Sequence, residues 1–208
     1  CGRPEGSVQV IAVSKTVGAD EVSEAIEAGA RDFGENRPDE LVRKATLFPE
    51  VRWHFIGNIQ SRRIPDIVSH AHLIHSLHTL RHAEKIDHVA ADLGKVQDVL
   101  IEVNVSGEES KSGVAPAEAL GLVQACAALP HVRVRGLMTM APQGDLEIAQ
   151  KCFEDLASLR EEIASKLDAE HASSFDQLSA GMSEDWESAI AAGSTMVRIG
   201  RAIFSASF

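Results

Sequence analysis

The chain has 208 residues, 44% of them apolar and 25% charged, the balance of an ordinary globular protein with one large core, so a single domain over residues 1–208 is expected. A formal charge of −11 argues against nucleic-acid binding, because a phosphate backbone demands a basic face. The longest apolar runs are strand-sized, short of the roughly 18 residues of a spanning helix, so no membrane is expected, and the three cysteines (Cys1, Cys126, Cys152), odd in number and without a CxxC, fit a reducing cytoplasm.

The sequence opens at Cys1 without an initiator methionine. Truncation is the expected reason, since no signal peptide supports a lipid-modified cysteine. A first strand is expected over residues 8–13, a Val/Ile-rich run of a length that suits a strand buried on both faces. Gly18 then breaks the pattern before a helix over 20–28. Further strands are expected at 32–34, 51–56, 73–76, 98–104, 133–138, 177–179 and 196–199. Helical patterns lie between them at 38–45, 61–70, 79–93, 116–128, 146–167 and 184–192. There is no Asn-Gly hairpin spacing, low-complexity linker or short repeat. Repeated β-then-α units imply a parallel sheet, and eight of them imply an α/β fold closed as a (β/α)8 TIM-type barrel; an open doubly wound sheet is the alternative.

In such a barrel, function gathers where strands end. Ile11, Val13 and Lys15 share one face of the first strand. If that face looks into the barrel, the ammonium of Lys15 is partly desolvated and a neutral amine able to attack a carbonyl becomes accessible. The plain alternative is a strand-end lysine that snorkels to water. After the seventh strand, Ser179-Ala180-Gly181-Met182-Ser183 runs into a helix start, where small residues let backbone N–H groups approach an anion and Ser179 and Ser183 add hydroxyls. Simple capping by Ser183 is the competing reading. Arg198 lies inside the apolar eighth strand and needs an acceptor, and Gly200 beyond it permits close backbone approach. An amine, an anion cradle and a buried arginine at one barrel mouth would suit pyridoxal 5′-phosphate (PLP), with Arg198 on the pyridine nitrogen.

The strings Ala-Val-Ser-Lys-Thr (12–16), Phe-Gly-Glu-Asn (33–36), Trp-His-Phe-Ile-Gly-Asn-Ile-Gln (53–60), Lys-Ser-Gly (111–113), Arg-Gly-Leu-Met (135–138), Gly-Met-Ser (181–183) and Gly-Ser-Thr-Met-Val-Arg-Ile-Gly (193–200) resemble the pyridoxal phosphate homeostasis protein family, in order and over nearly the whole chain. That family is similar to the barrel domain of alanine racemase. The resemblance implies Lys15 as the aldimine lysine, Arg198 as the partner of the pyridine nitrogen, and Ser179, Ser183 and the Gly200 backbone as the phosphate grip, with Met182 in the same turn. It also implies that Asn36, Asn104 and Met138 line the ring pocket. An arginine there cannot readily protonate the ring, which makes it a weaker electron sink. The chain departs from the family at Val17, where many members carry a second lysine, and at Arg37-Pro38, where an aromatic is common; a helix before the first strand is expected to be missing. Lys111 could be a secondary amine for receiving or handing over cofactor, or an exposed loop lysine.

Alanine racemase pairs its lysine with a tyrosine from a second domain. Here there is no tyrosine and a second domain is not expected, which argues against a two-base racemase. One-base proton transfer with His54 or a cysteine as acid, and a Schiff-base aldolase using Glu102, are the catalytic alternatives. The plain readings are a packed His54 and a Glu102 paired with Arg198 or Lys15. His70, His72, His75, His78, His82 and His88 crowd one stretch, with His78 and His82 at helical i, i+4 spacing, but no further ligand type completes a metal site. Glu161 and Glu162 read as solvated surface. The expectation is therefore a cytoplasmic monomer, not an enzyme, that holds PLP as a lysine aldimine and releases it to PLP-dependent apoenzymes.

Overall fold

A computed structural model describes residues 1–108 and 111–205. The strands are β1 (Gln9–Val13), β2 (Asp32–Glu35), β3 (Arg52–Phe55), β4 (Leu73–Leu77), β5 (Gln97–Glu102), β6 (Val132–Met138), β7 (Gln177–Ser179) and β8 (Met196–Ile199). All run parallel and close in sequence order, with β1 paired to both β2 and β8, so the open-sheet alternative falls. Each strand meets its expected bounds within two residues. β5 stops two residues short, at Glu102 rather than Asn104; beyond it the Val103 N–H still donates to the Met138 carbonyl of β6 while Val103 makes an isolated bridge to Val114.

The helices are α1 (Ala19–Glu27), α2 (Pro38–Leu47), α3 (Ile64–His70), α4 (Leu80–Asp92), α5 (Pro116–Ala127), α6 (Leu146–Ala164), α7 (Ala169–Ser174), α8 (Trp186–Ala191) and α9 (Arg201–Phe204). Their starts follow local chemistry. The Gly18 N–H donates to the Glu21 carboxylate at 2.9 Å, Thr79 Oγ1 accepts from the His82 N–H, and Asp145 Oδ1 accepts from the N–H groups of Glu147 and Ile148 at 3.0 Å. The single helix expected over 146–167 is two, because Asp168 caps a new turn by accepting from the His171 N–H at 2.9 Å. The expected helix over 61–70 opens with a separate 3-10 turn, Ser61–Arg63. Among the described residues no helix is long and apolar enough to cross a membrane.

Two apolar layers hold the barrel. Between strands and helices, Phe33, Phe55, Ile74, Leu77, Val99, Ile101 and Leu137 meet helix residues such as Val22, Leu41, Ile86 and Val123. Inside the barrel lies a smaller set, Ile11, Leu73, Leu100, Met138 and Met196. The alternation of side chains along each strand separates the two. One break in that alternation matters. The β5–β6 register skips from Val99↔Val134 to Leu100↔Gly136, a bulge at which Gly136 takes φ +149° and passes so close to β7 that a Cβ would sit 1.9 Å from the Gln177 carbonyl oxygen. Beyond the bulge Met138 points inward. The rest of the interior is polar: Asp32, His54, His75, Ser179 and Arg198 are all buried.

Candidate cofactor site

At the C-terminal ends of the strands lies a cavity of about 600 Å³. It brings together residues from distant parts of the sequence: Lys15 and Asn36 beyond β1 and β2, Met138 at the end of β6, Met182 and Ser183 beyond β7, and Arg198 and Gly200 at β8. Lys15 is exposed at this mouth rather than partly desolvated, because it stands two residues beyond the last residue of β1. What the fold fixes is its backbone. The Ser14 N–H donates to the Gly34 carbonyl at 3.0 Å, and the Ser14 carbonyl accepts from the buried Lys44 ammonium at 2.7 Å. Lys44 also meets Glu35 Oε1 at 2.6 Å, and the Ser14 hydroxyl donates to the same oxygen at 2.7 Å.

The cradle after β7 is built from backbone. Gly181 adopts φ +93°, and a Cβ there would lie 2.6 Å from Ala189 Cβ, so only glycine fits. Its carbonyl accepts from the Arg198 N–H at 3.0 Å, tying the turn to β8. The Ser183 hydroxyl accepts from the Ala202 N–H at 3.3 Å and joins the turn to α9. Gly200 lies against β1, where a Cβ would be 3.4 Å from the Val13 carbonyl oxygen. Two carboxylates share this side of the cavity, yet both are engaged: Asp185 Oδ1 accepts from the Met182 N–H at 2.6 Å and Glu184 accepts from Arg201 at 2.7 Å.

Arg198 is almost wholly buried. Its Nη1 donates to Ser179 Oγ at 2.6 Å and its Nη2 to the Thr139 carbonyl at 2.9 Å, the acceptors that an arginine in an apolar strand requires. Burial pulls its pKa down to about 10, against the pull of Asp185 and Glu102, and it still carries its charge at neutral pH.

Two expected residues stand apart. Ser179 is sealed from solvent with its oxygen between Arg198 and His75, and does not line the cavity. Asn104 lies beyond the end of β5 with its N–H on the Val114 carbonyl, and does not line the cavity; its side chain organises the following loop, donating to the Glu108 carbonyl and accepting from the Gly107 N–H. Glu102 faces His78 at 3.7 Å rather than Arg198 or Lys15, and His54 bonds to Asp32 and His75 inside the barrel. The Lys111 loop leans over the mouth instead: Lys111 pairs with Glu108 at 2.5 Å and donates to the Met140 carbonyl, and Ser112 donates to Asn58.

Sequence reasoning gives no role to Thr139 or Lys44 and takes His75 only as one of a histidine cluster, because their partners are remote in the chain. It also missed Gly57, where a Cβ would sit 2.0 Å from the Asn36 carbonyl oxygen; the Ile-Gly-Asn string around it carried the signal. His78 and His82 pack ring to ring at 6.2 Å, and no group of three or more metal-ligating side chains is found among the described residues.

The family model of the alanine racemase N-terminal domain matches residues 3–207. A pyridoxal phosphate homeostasis protein of Escherichia coli is 42% identical over 99% of this chain and 88% of its own length, and one of Pasteurella multocida is 40% identical over 98% and 88%. The chain belongs to the pyridoxal phosphate homeostasis protein family. Within that family and fold, the structure of PipY from Synechococcus elongatus with PLP bound superposes with a TM-score of 0.88 at 33% identity, covering 98% of this chain and 95% of that one.

Proposed function

We propose that this chain binds PLP in the cavity at the barrel mouth and serves PLP homeostasis as a carrier, handing the cofactor to PLP-dependent apoenzymes rather than turning over a substrate of its own. The observation that carries the reading is the arrangement of Lys15, the Gly181–Ser183 cradle with Gly200, and Arg198 around one cavity, an amine, an anion cradle and a cation on the scale of a phosphorylated pyridine aldehyde. Bound there, PLP would supply an aldehyde for capture by an amine and an electron-withdrawing ring.

Lys15, exposed, is open to an incoming aldehyde. The turn from Gly181 to Ser183, apart from the Met182 N–H that Asp185 holds, and the backbone at Gly200 would take the phosphate through N–H groups, a task that needs no counter-charge beyond the local dipoles. Arg198 would face the pyridine nitrogen as a fixed donor. Since it keeps its proton near neutral pH, it would leave the ring largely unprotonated and a poor sink for substrate electrons, which favours holding over catalysis. None of the 208 residues is a tyrosine, so the sequence offers no second base of the alanine racemase kind.

The test is titration of the purified protein with PLP. A visible absorption band of lysine-bound cofactor should appear in wild type and vanish in Lys15→Ala; the same band in the variant would sink the assignment. Incubating loaded protein with a PLP-dependent apoenzyme should restore that enzyme's activity, while racemase or aldolase turnover of the loaded protein at enzyme-like rates would overturn the carrier role.

A further inference from the structure

Five side chains form one continuous hydrogen-bonded line through the barrel interior: Arg198 Nη1 to Ser179 Oγ at 2.6 Å, Ser179 Oγ to His75 Nδ1 at 2.9 Å, His75 Nε2 to His54 Nδ1 at 2.9 Å, and His54 Nε2 to Asp32 Oδ1 at 3.1 Å. At the far end Arg52 closes the line with two bonds of 2.6 Å to the Asp32 carboxylate. The line starts at the cavity floor and ends at the opposite face of the barrel, where the Arg52 side chain is 53% exposed. Between those ends every member is buried.

The carboxylate at one end and the neutral rings beside it dictate where each proton sits, in a direction that the arginine at the other end accommodates. A guanidinium only donates, so Ser179 Oγ accepts from Arg198, and the hydroxyl hydrogen finds its acceptor in His75 Nδ1, the other partner of that oxygen. His75 then carries its hydrogen on Nε2 and donates to His54 Nδ1. His54 in turn carries its hydrogen on Nε2 and donates to Asp32, which can only accept while ionised. Burial would raise the Asp32 carboxyl, but hydrogen bonds from Arg52 and His54 outweigh it and hold the group well below the usual carboxylate range. Burial pushes both imidazoles below their ordinary value, so both are neutral, as the line requires. The carboxylate end fixes the direction: an ionised Asp32 and two neutral rings leave His75 Nδ1 as an acceptor, which the Ser179 hydroxyl satisfies while it accepts from Arg198.

We propose that His75 and His54 are positioning residues for the cofactor: they lock Ser179 as an acceptor, and Ser179 together with the Thr139 carbonyl locks the Arg198 guanidinium in the orientation that meets the pyridine nitrogen. This rests on the reading of the cavity as a PLP site. The Ser179 hydroxyl is thereby committed inside the barrel and is no donor to the phosphate. An arginine has many rotamers, and one already immobilised before binding loses no further freedom when the ring arrives, so the line acts on affinity through preorganisation. It also sets how a positive charge is presented to the ring, which the cofactor's absorption reports.

The first arm of the test uses the cofactor-free protein. Long-range proton–nitrogen correlation spectra of the imidazoles at neutral pH should show His54 and His75 both neutral and both protonated on Nε2. A ring protonated on Nδ1, or an imidazolium, would overturn the proposal. In the second arm, His75→Phe and Ser179→Ala should each weaken PLP binding about tenfold, the loss of one charge-assisted, preorganising contact. Each should also shift the absorption maximum, with little further loss when the two are combined or when His75→Phe is placed in an Arg198→Gln background. A His75→Phe protein that melts as wild type does and keeps wild-type affinity and absorption would overturn the positioning role while leaving the PLP site intact. Wild-type protein with both expected tautomers that takes up no PLP would instead sink the cofactor reading, and the positioning role with it. If His75→Phe does not fold, Ser179→Ala and the wild-type spectra decide.

Discussion

The ammonium of Lys44 lies 2.7 Å from the carbonyl oxygen of Ser14, the residue before Lys15, and its side chain is only 1% exposed. A lysine is tolerated as buried in α2 because two acceptors meet it, the Ser14 carbonyl and Glu35 Oε1 at 2.6 Å, with the outer Glu40 carboxylate 3.9 Å away adding its charge. The pair thus ties the ends of β1 and β2 together under the proposed amine. Lys44→Met should strand the Glu35 carboxylate, whose Oε2 already lacks a hydrogen-bond partner, at a cost of about 3–5 kcal/mol. Adding Glu35→Leu should recover much of that loss, since an apolar pair removes the uncompensated charge. Urea unfolding of the cofactor-free proteins measures both, and a single variant as stable as wild type would show that the pair does not hold the strand ends.

Gly136 offers a sharper backbone test. With φ +149° and a Cβ position 1.9 Å from the Gln177 carbonyl oxygen, alanine there must push β6 away from β7. Gly136→Ala should cost more than about 3 kcal/mol, the sum of a strained backbone and a lost close approach. The β-bulge it sustains also aims Met138 at the cavity, so a folded variant should bind PLP more weakly. Unchanged melting would contradict the bulge geometry.

How far the sequence could be read follows from how local each signal is. β1, β6 and β8 declare themselves as Val/Ile/Met-rich runs, and Lys15 and Arg198 stand out because each interrupts or ends such a run. The order of strands then follows from the β-then-α repeat. The interior line does not, for His54, His75, Ser179 and Arg198 sit on β3, β4, β7 and β8 and meet only when the barrel closes. A lone histidine in an apolar strand reads as a packed one until its neighbour across the barrel is known. Nothing in Arg43-Lys44 separates the buried cation from the exposed one beside it. Ser179 and Asn104 were misplaced for a related reason: a strand end supplies two directions for a side chain, and the partners that choose between them, His75 and the 104–108 loop, lie off the local pattern.

The cysteines give a chemical readout of the packing. Cys126 and Cys152 are buried, and burial pushes the Cys126 thiol up to about 12 and raises that of Cys152, so neither forms thiolate readily. Cys1 is exposed. One equivalent of thiol reagent should react quickly with native protein at pH 8, and all three cysteines after unfolding in denaturant. Rapid modification of a second thiol in the native state would show that α5 or α6 opens.

The imidazoles make acid stability a test of the interior. His54 and His75 have folded-state values pushed below the ordinary 6.5 by burial. Below about pH 6.5 the unfolded chain therefore binds protons that the native barrel does not, and stability falls as pH drops through that value, by at most about 1.4 kcal/mol per pH unit for each ring. His72 and His82, also lowered by burial, act in the same direction. His78 opposes them: raised by its contact with Glu102, it contributes stability that is complete below pH 6.5 and lost as pH rises through its folded value. Asp32, held low by Arg52 and His54 against its burial, adds its own loss only as pH falls below the ordinary 3.8. Two sealed rings outweigh one half-buried one, so the urea midpoint should fall steadily from pH 7.5 to pH 5, before the carboxylates titrate. His75→Phe should flatten that slope even though it lowers stability at neutral pH. A midpoint that rises on acidification would mean that the interior histidines are charged in the native barrel, which the single direction of protons between Arg198 and Asp32 does not permit.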